Sequence, residues 1–169
     1  RAPLEVMMAV PQRVYLPQGT LGDQVCYPYR YLPPDAGGSA GEDGRVDEDK
    51  MLNALRAAGI EQLWKRESKG WLARRTWEDA LSGGEQQRMG LARVFLRVPR
   101  FALLDECTSM VASAAEEGLY RSLVSDFGIT PLTLTQRLFM PDLYPNELRL
   151  GQPTLQGWSL VGTEGAPVA

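Results

Sequence analysis

The order of segments along the chain predicts an α/β fold with helices layered on a parallel sheet. Three observations carry this expectation. Phe101-Ala102-Leu103-Leu104 is a continuous apolar run of strand length, as in a strand covered on both faces. Ser82 to Leu96 is a helix with a start and a stop: Ser82 and Glu85 form a Ser-x-x-Glu capping box, and Pro99 ends the segment. A second helix and a second strand-like run follow in sequence.

Taken in order, Val6 to Val10 is an apolar run suited to a buried strand, ended by Pro11. Gly19-Thr20 opens a short helical or turn segment, with Thr20 as N-cap and Asp23 near the third helical position. Residues 33–50, with Pro33-Pro34, four glycines and several acids, are expected to form a flexible surface loop. Leu52, Leu55 and Ala58 fit one face of a helix over Met51 to Ile60, with Gly59 near its end. Between Leu63 and Asp79, Trp64, Trp71 and Trp77 lie among lysines and arginines. Such interleaving can bind nucleic acid, but packing of a small helical core or contact with a partner is the better expectation. Leu119, Leu123 and Phe127 predict a helix over Ala114 to Phe127, and Ile129 to Thr135 reads as a strand that Pro131 should disturb. Asn146 to Leu150 and Leu155 to Val161 suggest two strands joined by a turn at Gly151 to Thr154.

Composition narrows the function. The 169 residues carry 44% hydrophobic and 23% charged residues, ordinary for a globular chain. The net charge of -3 gives no electrostatic reason to expect nucleic acid as a partner. No apolar run approaches the roughly 18–20 residues that cross a bilayer. The sequence has no histidine, which excludes histidine-based catalysis and histidine metal ligands within it. Cys26 and Cys107 are expected to be free thiols. Arg1 to Val10 reads as the middle of a fold, so a preceding portion is expected upstream.

The chemistry concentrates in two places. In Leu81-Ser82-Gly83-Gly84-Glu85-Gln86-Gln87-Arg88, two glycines after an N-capping serine let a ligand approach the backbone at a helix start, where N–H groups and the helix dipole favour a phosphate. Asp105 and Glu106 end the apolar run 101–104, and the carboxyl end of a strand is where open α/β sheets bind ligands. An aspartate there suits Mg2+, and an adjacent glutamate can polarise a water for attack on phosphorus.

These residues resemble the signature sequence and the end of the Walker B strand of ABC ATPases. Residues 7–161 look like the carboxyl-terminal two-thirds of an ABC transporter nucleotide-binding domain. Within that family they look most like the peroxisomal-type half-transporters of fatty acyl-CoA, with their cobalamin-linked and bacterial relatives. Val10 to Tyr15 resembles the Q-loop, Gly19 to Pro28 the stretch after it, Trp77 to Ala80 the lead-in to the signature, and Phe101 to Ser109 the Walker B region.

The resemblance implies a P-loop NTPase-like parallel sheet core, lacking its Walker A portion, with an inserted helical signature subdomain. Residues 1–19 would be the end of the core with the Q-loop, 20–99 the signature subdomain and 100–169 the core from Walker B onward. It implies that Gln12 contacts Mg2+ and the attacking water, that Ser82, Gly83 and Gly84 touch the γ-phosphate of an ATP held by a partner, that Asp105 holds Mg2+, and that Glu106 is the catalytic base. The implied partners are a second nucleotide-binding domain, head to tail, and a transmembrane domain encoded upstream. The implied location is the cytosolic face of a membrane, peroxisomal in a eukaryote or the inner membrane in a bacterium. The implied function is ATP hydrolysis coupled to transport of a lipid-like or other substrate.

Three departures from the pattern stand out. No Gly-x-x-x-x-Gly-Lys-Ser/Thr phosphate loop occurs in the sequence. Gln136 stands where the resemblance implies a switch histidine, and its amide is expected to donate to the γ-phosphate. The D-loop reads Ser109-Met110-Val111-Ala112. A degenerate domain with a structural or regulatory role, or a gene fragment, is the alternative reading; a soluble ABC ATPase of DNA repair or translation is a third.

Overall fold

Three parallel strands organise the part of the chain that carries the chemistry. The computed structural model describes residues 3–34, 47–135, 144–151 and 156–162. Strand β1 (Met7–Val10) pairs with β4 (Phe101–Asp105), which pairs with β5 (Thr130–Leu134), in the order β1-β4-β5. Register places Val10 beside Leu104 and Leu104 beside Thr133, so the three carboxyl ends lie along one edge. Pro131 does not disturb β5. Thr130 donates its N–H to Arg100 O at 3.0 Å, so the next residue's nitrogen, the proline's, faces away from β4, where no donor is required.

Between β1 and β4 the chain makes a mostly helical excursion. A two-residue strand β2 (Gly19–Thr20) leads into α1 (Leu21–Cys26); then come α2 (Glu48–Ala57), α3 (Gln62–Arg66) and a single 3-10 turn at Gly70–Leu72. Strand β3 (Arg74–Arg75) returns to pair with β2, and α4 (Trp77–Ala80) precedes α5 (Gly83–Arg97). Helix α6 (Ser113–Ser125) connects β4 to β5. Helix α5 packs on α1 and α2 and reaches β1. Its Met89, Leu91 and Val94 are fully buried, with Leu21, Met51, Leu55 and Leu63 from the surrounding helices. Gly90 is needed at the crossing over the sheet, because a Cβ there would lie 2.8 Å from Val10 Cγ1 and 2.9 Å from Val14 Cγ2.

Helix α2 starts three residues before the predicted Met51, because Asp47 caps it by accepting from Asp49 N at 2.9 Å and acids fill its first turn. Residues 35–46 of the expected loop lie outside the described residues. The tryptophans pack. Trp71 and Trp77 are buried, Trp64 stacks obliquely on Trp71 at 5.9 Å between ring centroids, and Trp77 Nε1 donates to Gly19 O at 3.0 Å. The residues from Thr135 onward form a separate unit in which β6 (Asn146–Leu150) and β7 (Trp158–Gly162) make an antiparallel hairpin.

The predicted cap of α1 is present in full. Asp23 Oδ2 accepts from Thr20 N at 2.8 Å and from Thr20 Oγ1 at 2.9 Å, and Oδ1 accepts from Tyr31 N at 3.0 Å. Burial pushes the Asp23 carboxyl up, but these hydrogen bonds outweigh it and hold its pKa below the ordinary 3.8. A depressed carboxylate contributes stability above the ordinary range and loses it as pH falls through the native value. Asp23→Asn should therefore cost about 1–2 kcal/mol at neutral pH and progressively less in acid, where the parent loses the same interaction. Thermal unfolding of both proteins across pH checks this.

Candidate functional site

The carboxyl edge of the sheet gathers two of the predicted segments. Asp105 is the last residue of β4 and is exposed, and Gln12, also exposed, follows β1 by two residues on the neighbouring strand. Glu106 leaves β4 with φ 47°, a left-handed conformation that costs a non-glycine residue on the order of 1–2 kcal/mol. Its N–H donates to Leu134 O at 3.0 Å, which fixes the turn at the end of β4–β5. Strain of this kind collects at functional positions. Among the described residues no group of three or more metal-ligating side chains occurs. A lone carboxylate suits Mg2+, which keeps its waters and completes its shell with phosphate oxygens.

The start of α5 is built as its sequence predicts. Ser82 Oγ accepts from Glu85 N at 3.3 Å, and Glu85 Oε2 accepts from Ser82 N at 2.9 Å and from Ser82 Oγ at 3.0 Å. Helix geometry leaves the first-turn N–H groups of Gly83 and Gly84 without intrahelical acceptors. The two glycines also have a packing role that the sequence did not announce. A Cβ on Gly83 would lie 2.2 Å from Met110 Sδ, and one on Gly84 would lie 3.0 Å from Met110 O. The segment after Glu106 thus rests directly on the helix start. A cleft of about 370 Å³ opens there, lined in part by Ser82, Gly84, Glu85, Arg88, Gly59 and Met110.

One side chain, absent from the sequence-based assignment, ties these segments together. Gln87 is buried. Its Nε2 donates to Ser109 Oγ at 2.8 Å and to Gln12 O at 3.2 Å, with Glu106 O at 3.5 Å; its Oε1 accepts from Met110 N at 2.8 Å. It therefore bridges the segment after β1, the segment after β4 and the signature helix. The signal was its spacing: Gln87 follows Gly84 and Gly83 by three and four residues, on the same helical face. Just beyond, Thr108 Oγ1 donates to the buried Glu116 and lies 3.1 Å from Tyr120 OH, anchoring the same segment to α6.

The thiols take no part. Cys26 and Cys107 are free and buried, and burial pushes each thiol up to about 12, so neither is a thiolate at neutral pH. Gln136 lies outside the described residues. The structure thus brings Gln12, Glu106 and α5 into one hydrogen-bonded assembly through Gln87, with Asp105 adjacent on β4.

Comparison with known proteins agrees with this architecture. The family model described as "ABC transporter" matches residues 4–109. The chain is 39% identical over 152 residues to ABC transporter D family member 1 of Arabidopsis thaliana, covering 85% of this chain and 11% of that protein. It is 40% identical to ATP-binding cassette sub-family D member 3 of Rattus norvegicus, covering 76% of this chain and 18% of the relative. It is 33% identical to the lysosomal cobalamin transporter of Mus musculus, covering 85% and 23%. The chain therefore spans about a tenth to a quarter of these relatives' lengths. A bacterial Atm1-family ABC exporter solved with ATP bound shares the fold, with a TM-score of 0.64, 24% identity and coverage of 82% of this chain and 22% of its own. The signature helix, the Asp-Glu strand end and the match over residues 4–109 together establish that this chain belongs to the ABC transporter family.

Proposed function

We propose that this chain supplies the signature and Walker B parts of an ATP-hydrolysing site in a membrane transporter, working with a phosphate loop that lies outside its 169 residues. The observation that carries the reading is Gln87, whose single amide holds the segments of Gln12, Glu106 and the signature in one assembly. In this reading 1–19 and 100–169 belong to the ATPase core and 20–99 to the signature subdomain.

Ser82 offers a hydroxyl, and Gly83 and Gly84 offer N–H groups at the positive end of α5, to the γ-phosphate of an ATP held by a partner domain. Asp105 and Gln12 would hold Mg2+, which when bound neutralises phosphate charge. Glu106 takes the proton of the attacking water, positioned by its left-handed turn. Gln136 would donate an amide hydrogen bond to the same phosphate. The partner is a second nucleotide-binding domain, head to tail. A transmembrane domain places the assembly on the cytosolic face of a membrane, peroxisomal or bacterial, for a lipid-like substrate.

Glutamine in place of a histidine at 136 favours a second reading, a domain that binds ATP without rapid turnover. Glu106→Gln separates the two, since such a domain has little turnover to lose.

The direct test of the main reading is Ser82→Arg in the full-length protein, which places a bulky cation where the phosphate must come. ATP-driven association of the nucleotide-binding domains, followed by size-exclusion chromatography, should disappear, and ATPase should fall by about a hundredfold. Unchanged association would remove the signature role.

A further inference from the structure

Glu85 poses an electrostatic problem for the site proposed above. Its Oε2 lies 2.9 Å from Ser82 N and 3.0 Å from Ser82 Oγ. A phosphate arriving at Ser82 meets a fixed negative charge next to it, and the hydroxyl proton it needs is already turned toward that charge. Like charges at such range repel strongly in a partly buried setting, and the Glu85 side chain is 20% exposed.

The other oxygen of the same carboxylate has a different partner. Glu85 Oε1 accepts from Arg66 Nη1 at 3.3 Å, and Arg66 Nη2 donates to Ala80 O at 3.2 Å, just before the signature. Arg66 ends α3, a separate element, so α3 reaches across to the first turn of α5. The competing acid, Glu67, is 3.9 Å from Arg66 Nε and is itself taken by Arg75 Nη2 at 3.0 Å. Of the two carboxylates that Arg66 pairs with, Glu85 is the nearer, at 3.3 Å.

We propose that Arg66 is a positioning residue of the signature site: it neutralises Glu85 and draws its charge toward Oε1, so that Ser82 and the first-turn N–H groups can accept a phosphate. The inference rests on the reading of the α5 start as phosphate-facing. It assigns to α3 a part in nucleotide capture and explains how a carboxylate is tolerated inside an anion-binding turn. Removing Arg66 leaves the folded turn in place but with an uncompensated charge that ATP must approach.

The test compares Arg66→Gln, Arg66→Lys and the double variant Arg66→Gln/Glu85→Gln in the full-length protein, with KM for MgATP and kcat measured separately. Arg66→Gln should raise KM about fivefold to tenfold with kcat within about twofold, and added salt should shrink the defect by screening. Arg66→Lys keeps the charge and should recover most of the loss. The double variant, which removes the offending carboxylate as well, should return KM to within about twofold of the parent. If the double variant stays as impaired as Arg66→Gln and melts earlier, Arg66 acts through its bond to Ala80 O and the electrostatic assignment is overturned. If Ser82→Arg leaves ATP-driven association intact, the phosphate-facing reading fails first and this one falls with it; the two failures are distinct because Ser82→Arg leaves Arg66 untouched.

Discussion

Replacing Glu106 with glutamine should abolish turnover in the full-length protein while ATP-stabilised dimers persist. The substitution keeps the shape, the left-handed turn and the backbone bond from Glu106 N to Leu134 O, and removes only the ability to take a proton. Loss of a positioned general base costs on the order of 10²–10⁴ in rate, which corresponds to about 3–5 kcal/mol of barrier. Binding should be unaffected or tightened, because an unhydrolysed nucleotide stays in place. The measurement is phosphate release in single-turnover conditions beside chromatography of the domains with MgATP. Normal turnover would remove Glu106 from the base role, and a dimer lost together with activity would point to a folding defect instead. A chain with negligible parent turnover would support the non-hydrolysing reading.

The parts of this molecule that were legible in its sequence are those where local chemistry and global position coincide. Thr20 with Asp23 and Ser82 with Glu85 are self-contained capping boxes, so their helices start where the spacing predicts. The apolar run 101–104 does form a strand between two parallel neighbours, but only Ala102 and Leu104 are buried, and Phe101 and Leu103 on the other face are half-buried. The start of α2 was missed because Asp47 caps without the reciprocal Glu that marks the other two helices. Pro131 was misjudged for a different reason: whether a proline breaks a strand depends on which side its nitrogen faces, and only the register decides that. The spacing of Gln87 from Gly83 and Gly84 puts it on their helical face, but its four contacts come from segments far apart in sequence, and only the fold brings those together. Gly83 and Gly84 are expected from the sequence to let a ligand approach the backbone, whereas the group nearest to where their Cβ atoms would sit is Met110 of the same chain.

Arg93→Ala should give the largest loss of stability among the variants considered, about 2–4 kcal/mol. Arg93 lies in the middle of α5 and is only 4% exposed, yet no carboxylate pairs with it among the described residues. Its Nε donates to Gln24 O at 2.7 Å and its Nη1 to Tyr15 O at 2.9 Å, with the guanidinium 4.9 Å from the Tyr27 ring centroid. One turn later Arg97 repeats the arrangement, donating to Cys26 O at 2.8 Å over the Tyr29 ring. The pair straps the signature helix to the segment that begins just after Gln12. Burial pulls the Arg93 pKa down to about 10, so the side chain remains charged at neutral pH but pays for its desolvation. Two effects therefore oppose each other in the variant. Truncation strands two carbonyls and opens a cavity, while it also relieves a buried charge that lacks a counter-ion. The first should win, because an alanine cannot fill the space or satisfy either acceptor. Arg93→Met, which keeps volume and sheds charge, should recover about half of the loss. For a chain of this size the alanine variant should melt about 5–15 °C lower. Equal melting temperatures for the parent and Arg93→Ala would mean that water replaces the guanidinium at both carbonyls, and that the segment after Gln12 is held by its apolar contacts alone.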